Sequence, residues 1–128
     1  MTAFALTKEV PDRGGMGNEA FLQDIDAGMV AGAVAMEFPN DGNVIVVLKS
    51  VAAGAITATL KAFPDQSGRG GGGTNDVVYV IPIGSTTPQI CIIPFADPTM
   101  FNSGGNAQIT LSAATDITVS FIRIYKVR

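Results

Sequence analysis

At 128 residues the chain is one domain long, and it has enough residues to close a hydrophobic core without disulfide or metal staples. Charged residues are 15% of the chain, where about a quarter is usual, and hydrophobic residues are 47%, so part of the surface is expected to be covered by copies of the chain or by a larger partner. Net charge is −3, and of the scattered basic residues only Arg123, Lys126 and Arg128 cluster; this is too little to track a phosphate backbone and argues against nucleic acid as a partner.

In chain order, residues 2–6 read as a short strand. Pro11-Asp12-Arg13-Gly14-Gly15-Met16-Gly17-Asn18 is rich in breakers and has no periodicity, so residues 8–20 are expected to be an arm or irregular loop. Residues 20–27 fit either a short helix or an extended segment. Gly28 and Gly32 argue against a long helix, and residues 29–36 resemble a Gly-interrupted strand. Phe38-Pro39-Asn40-Asp41-Gly42-Asn43 is a turn, because Asn and Asp bond their own backbone and Gly accepts positive φ. Val44-Ile45-Val46-Val47-Leu48 is apolar on both faces, as in a strand covered on both sides.

Residues 52–54 turn the chain. Residues 55–62 then alternate, with Ile56, Ala58, Leu60 and Ala62 inward and Thr57, Thr59 and Lys61 outward. A Gly-rich loop is expected over residues 64–75, centred on 68–73. Strands follow at 76–81 and 89–93, joined through Gly84. Residues 97–105 read as a long surface connection. Residues 106–111 alternate with Ala107, Ile109 and Leu111 inward, residues 114–116 turn, and residues 117–121 alternate again. Ile122, Ile124 and Val127 add a second apolar face. Short strands joined by Gly/Pro turns, with no βαβ spacing, predict an all-β fold: a small antiparallel β-sandwich or barrel-like sandwich of about seven to eight strands. Residues 1–20 are expected to be an N-terminal arm or a strand plus irregular loop, and residues 21–128 the sandwich domain.

The residues that carry chemistry are sparse. Histidine is absent, which removes the commonest general base and every Ser-His-Asp, Cys-His or His-bearing zinc set. Cys91, the single cysteine, lies in Ile90-Cys91-Ile92-Ile93 and reads as a small buried hydrophobe. Arg69-Gly70-Gly71-Gly72-Gly73-Thr74 lacks the Lys and the following helix that a phosphate loop needs. Asp24 and Asp26 lack the remaining oxygen ligands of a hard-cation loop. Asp41, Asp65, Asp76, Asp97 and Asp116 sit beside turns, where aspartate caps the backbone. These readings predict no enzyme, no cofactor and no metal. With no tryptophan to stack on sugars, the phenylalanines read as core or interface residues. The start lacks a basic region followed by a long apolar one, and no apolar run approaches the roughly 18 residues of a membrane helix, so a soluble chain made in the cytoplasm, without a membrane partner, is expected.

Phe38-Pro39-Asn40-Asp41-Gly42, the apolar strand ending in Lys49-Ser50, the Ala/Gly turn, the Thr-rich strand, Ile93-Pro94-Phe95, Met100-Phe101-Asn102 and the closing Val/Thr-rich strand pair follow one another in a distinctive order. Over residues 36–125 this order resembles a family of small tailed-bacteriophage capsid decoration (auxiliary head) proteins. The resemblance implies a homo-oligomer, in the family often a trimer at local three-fold positions, bound to the major capsid protein on the outer surface of the virion shell. Contacts are then expected from residues 8–20, 68–73 and 97–105, with Arg13, Met16, Asn18, Phe21, Arg69, Met100, Phe101 and Asn102 as candidates. Deleting residues 1–18 is expected to leave a folded domain that no longer binds shells. Three other readings stay open: a head–tail or tail-associated β-module, a carbohydrate-binding attachment module, and an enzyme.

Overall fold

The computed structural model describes residues 1–6, 8–12, 29–63 and 76–126. Its elements are β1 (Thr2–Ala3), β2 (Lys8–Asp12), β3 (Val30–Ala31), β4 (Ala35–Pro39), β5 (Val44–Ser50), β6 (Ile56–Leu60), β7 (Val77–Ile81), β8 (Gln89–Ile93), α1 (Pro98–Phe101), β9 (Asn102–Ser103), β10 (Asn106–Leu111) and β11 (Ile117–Lys126). One sheet runs β1-β4-β10-β6-β7, with β9 also on β10. The other runs β2-β11-β5-β8, with β3 also on β11. The fold is an all-β sandwich.

Period-two alternation explains the core. β6 buries Ile56, Ala58 and Leu60, and β10 buries Ala107, Ile109 and Leu111, as their patterns predict. Met36 and Phe38 of β4 and Val119 and Phe121 of β11 meet them between the sheets, where the Phe38 and Phe121 rings stack at 4.8 Å. The doubly apolar pattern of β5 also has its physical cause. Val46 and Leu48 face the main core, while Val47 is buried with Ile122 on the opposite face of the sheet, beside Met29, Ile45 and Ile124.

The short strand expected at residues 2–6 is present as β1. β1 pairs parallel to β4, and Phe4 N–H extends the ladder by donating to the Glu37 carbonyl at 2.8 Å. The Phe4 ring lies 5.3 Å from that of Phe121, and Leu6 packs on the core. Residues 8–12 form a strand rather than irregular chain. β2 pairs parallel to the last five residues of β11, most of which lie beyond the reach of β5. Pro11 is tolerated because β2 lies at the end of its sheet. Residues 2–3 and 8–12 therefore supply one strand to each sheet. Residues 13–20 lie outside the described residues, as do the Gly-rich loop at 64–75, the Asp24/Asp26 pair and Val127.

Two further segments depart from expectation. Residues 29–36 are not one interrupted strand. The chain leaves β3 in one sheet and enters β4 in the other, crossing at Gly32, whose N–H donates to the Ile117 carbonyl. Phe38 belongs to β4 and is buried, so the turn proper is Asn40 to Asn43, with Gly42 at φ 91°. The 97–105 connection contains α1, a single turn capped by Asp97, whose Oδ1 accepts from Thr99 N–H at 2.9 Å, with Pro98 at its first position.

Candidate interaction surface

Of the residues singled out for contact, Arg13, Met16, Asn18, Phe21 and Arg69 lie outside the described residues. The other three are together at α1 but do three different things. Met100 is 40% exposed. Phe101 is half-buried against the main core. Asn102 is held from both ends: its Nδ2 donates to the Asn40 carbonyl at 2.6 Å and its Oδ1 accepts from Asn40 Nδ2 at 2.8 Å. That geometry makes Asn102 an internal brace between the end of β4 and α1. Asn40, 5% exposed, also donates to the Ala96 carbonyl at 3.2 Å and accepts from Gly42 N–H at 3.0 Å.

Asp41 and Asp76 cap backbone with their carboxylates, as Asp97 does at α1. Asp41 Oδ1 accepts from Asn43 N–H at 2.9 Å, and Asp76 Oδ1 from Ala62 N–H at 2.7 Å. Asp116 takes φ 64°, a conformation Asp tolerates, and its carbonyl accepts from Val51 N–H. Arg123 Nε donates to Asp41 Oδ2 at 2.7 Å across a solvent-facing pair. Burial pushes the Asp41 carboxyl up, but the hydrogen bonds from Arg123 and Asn43 and the Arg123 charge outweigh it and hold the carboxyl below its ordinary range. Among the described residues no group of three or more acidic or cysteine side chains converges as a metal site would require. One open cleft of about 520 Å³ lies between Met29, Lys49, Asp116 and Thr118, and a second of about 330 Å³ lies at Asn40, Val44 and the Asp41–Arg123 pair.

The exposed apolar side chains have a clear geography. Among the described residues, β7 and β8 are the end strands of their two sheets, and they run close to each other on the same side of the sandwich. Each alternates. Val77 and Tyr79 of β7, with Cys91 of β8, pack on the core, while Val78, Val80, Ile90 and Ile92 stand out on the outer faces of their sheets. Ile83 and Phe95, on the adjoining connections, are also more than half exposed. Cys91 is thus half-buried, less than its apolar neighbours imply, because those neighbours Ile90 and Ile92 are the exposed ones. Burial pushes the Cys91 thiol up; burial and then the neighbouring Cys91 push the Tyr79 phenol up, so both groups are neutral at physiological pH.

This rim carries no formal charge: residues 77–96 contain no Asp, Glu, Lys or Arg. The opposite ends of the sheets are guarded. β1 is only two residues long, and β2 reads Lys-Glu-Val-Pro-Asp, with a proline and three charges. β7 reads Val-Val-Tyr-Val-Ile and β8 Gln-Ile-Cys-Ile-Ile, with none of the lysine, proline or shortness that keeps an edge strand from pairing. Sequence reasoning missed this surface because apolar runs read as buried strands. The signal available was the uncharged length of 77–96.

The fold is a β-sandwich that, among the described residues, presents an apolar, uncharged rim at β7 and β8. No family model matches the chain, and neither a curated protein nor a solved structure matches it.

Proposed function

We propose that the protein is a non-enzymatic structural component of a virion, a capsid decoration protein that works by protein–protein contact on the outer surface of the phage head. The observation that carries the contact role is the rim of β7 and β8, two edge strands with exposed valines and isoleucines and no protecting charge. The low overall charge and the absence of histidine support the same reading, and the resemblance over residues 36–125 supplies the shell as its setting. The mechanism is linkage. A protein that binds the assembled shell in preference to free subunits stabilises the shell, and many modest contacts add through multivalency.

The test is co-sedimentation of the full chain with emptied phage heads built from the major capsid protein. Saturable binding, with a raised melting temperature of the decorated heads, is the expected outcome. A chain left in the supernatant at every concentration defeats the proposal.

A further inference from the structure

We propose that the Asp41–Gly42 step is a latent isoaspartate site, held closed in the folded protein by the hydrogen bonds that Arg123 and Asn40 make to its two reacting groups. The inference goes beyond the contact reading above and does not depend on it.

Three observations converge on this turn. First, the residues have the chemistry. Asp41–Gly42 is the single Asp-Gly step of the sequence, which has no Asn-Gly step. Glycine lacks the Cβ that would hinder its nitrogen from reaching the preceding side chain. Attack of the Gly42 nitrogen on Asp41 Cγ forms a C–N bond and breaks the Cγ–OH bond. The amide proton and the carboxyl OH leave together as water, and a five-membered succinimide remains. Water then opens the ring. Opening at Cγ restores aspartate, and opening at the former main-chain carbonyl leaves the chain running through Cβ and Cγ. Water is the only co-reactant.

Second, both reacting groups are engaged. Gly42 N–H donates to Asn40 Oδ1 at 3.0 Å, and Asn40 is itself buried and tied to Ala96 and Asn102. Asp41 Oδ2 accepts from Arg123 Nε at 2.7 Å and Oδ1 from Asn43 N–H at 2.9 Å. Burial pushes the carboxyl up, but these hydrogen bonds and the Arg123 charge prevail, so the protonated form that can lose water is scarce. Third, the turn is open to water. The Arg123 and Asp41 side chains are 33% and 44% exposed, so closure depends on hydrogen bonds rather than on burial. The turn is also a junction, because the Asn43 carbonyl accepts from Ile124 N–H at 2.8 Å. An extra main-chain carbon at residue 41 would disturb this tie between the turn and β11.

The test is prolonged incubation of the full chain at neutral pH, with isoaspartate at residue 41 located by fragmentation mass spectrometry and counted with an isoaspartyl methyltransferase. Folded wild type, urea-unfolded wild type, Arg123→Gln and Arg123→Lys are compared, with circular dichroism to verify folding. Folded wild type is expected to form isoaspartate at least roughly tenfold more slowly than the unfolded chain. Arg123→Gln is expected to form it roughly tenfold faster than folded wild type, the factor that one charge-assisted hydrogen bond supplies. Equal rates in folded and unfolded wild type overturn the proposal. Chemical denaturation gives the unfolded fraction of Arg123→Gln, and a rise no larger than that fraction supplies overturns the clamp. The ion pair is exposed, so Arg123→Gln is expected to fold. Should it not, Arg123→Lys decides, because it keeps the charge and loses the Nε donor. A rate above that of folded wild type is expected of it, and an equal rate overturns the role of the Arg123 hydrogen bond.

Discussion

Gly84 lies where two connections meet, and no side chain fits there. A Cβ added to it would stand 2.0 Å from the Ser50 carbonyl oxygen, while its N–H donates to the Ala52 carbonyl at 3.0 Å. Ser50 is itself fully buried, and its Oγ accepts from Ala52 N–H, so the backbone it belongs to has little freedom to retreat. Gly84→Ala is therefore expected to cost ~1–3 kcal/mol, the usual penalty for overpacking, seen as a lower urea midpoint with an unchanged slope. Gly84 was legible as a turn residue. Its steric role was not, because Ser50 lies far away in sequence and is brought near by the fold alone.

Elements are braced to one another by the Asn40–Asn102 pair. β4 ends at Pro39, and Asn40 then turns inward to tie the chain to Ala96 and to the end of α1. Buried amides are costly unless paired, and here each amide satisfies the other. Asn102→Ala leaves the Asn40 carbonyl without its 2.6 Å donor and is expected to lower stability by ~1–3 kcal/mol in chemical denaturation, with head binding otherwise unchanged. A variant of full stability with impaired head binding would instead make Asn102 a contact residue. Strand identity was readable at this scale: the alternation in 55–62 and 106–111 assigns the buried side chains of β6 and β10 correctly. β3 and β4 merged in the sequence because a Gly-containing apolar run looks alike whether it stays in one sheet or crosses between two.

At the scale of the whole molecule, the N-terminal residues close the sandwich. β1 extends one sheet and β2 the other, and Phe4 is packed beside Phe121. Deleting residues 1–12 is thus expected to destabilise the domain by on the order of 3 kcal/mol, the scale of losing one large aromatic from a core, and to lower the melting temperature in a thermal scan. An unaltered melting temperature would restore the picture of an independent arm. Loss of head binding on truncation consequently has to be judged against the melting curve of the same protein.

The sequence by itself determined the class of the fold, the inward residues of its alternating strands, the turn aspartates, and the poverty of catalytic groups. All of these depend on residue identity or on neighbours a few positions apart, and a period of two is a local property. The tertiary structure alone decided which strands stand at the ends of the sheets. Val-Val-Tyr-Val-Ile and Gln-Ile-Cys-Ile-Ile look like buried strands in the chain, yet Val78, Val80, Ile90 and Ile92 face solvent on the outer faces of the two sheets, and β7 and β8 each have a described neighbour on one side only. Edge position is set by pairings between segments far apart in sequence, so the surface on which the proposed function rests becomes visible only once the sheets are assembled.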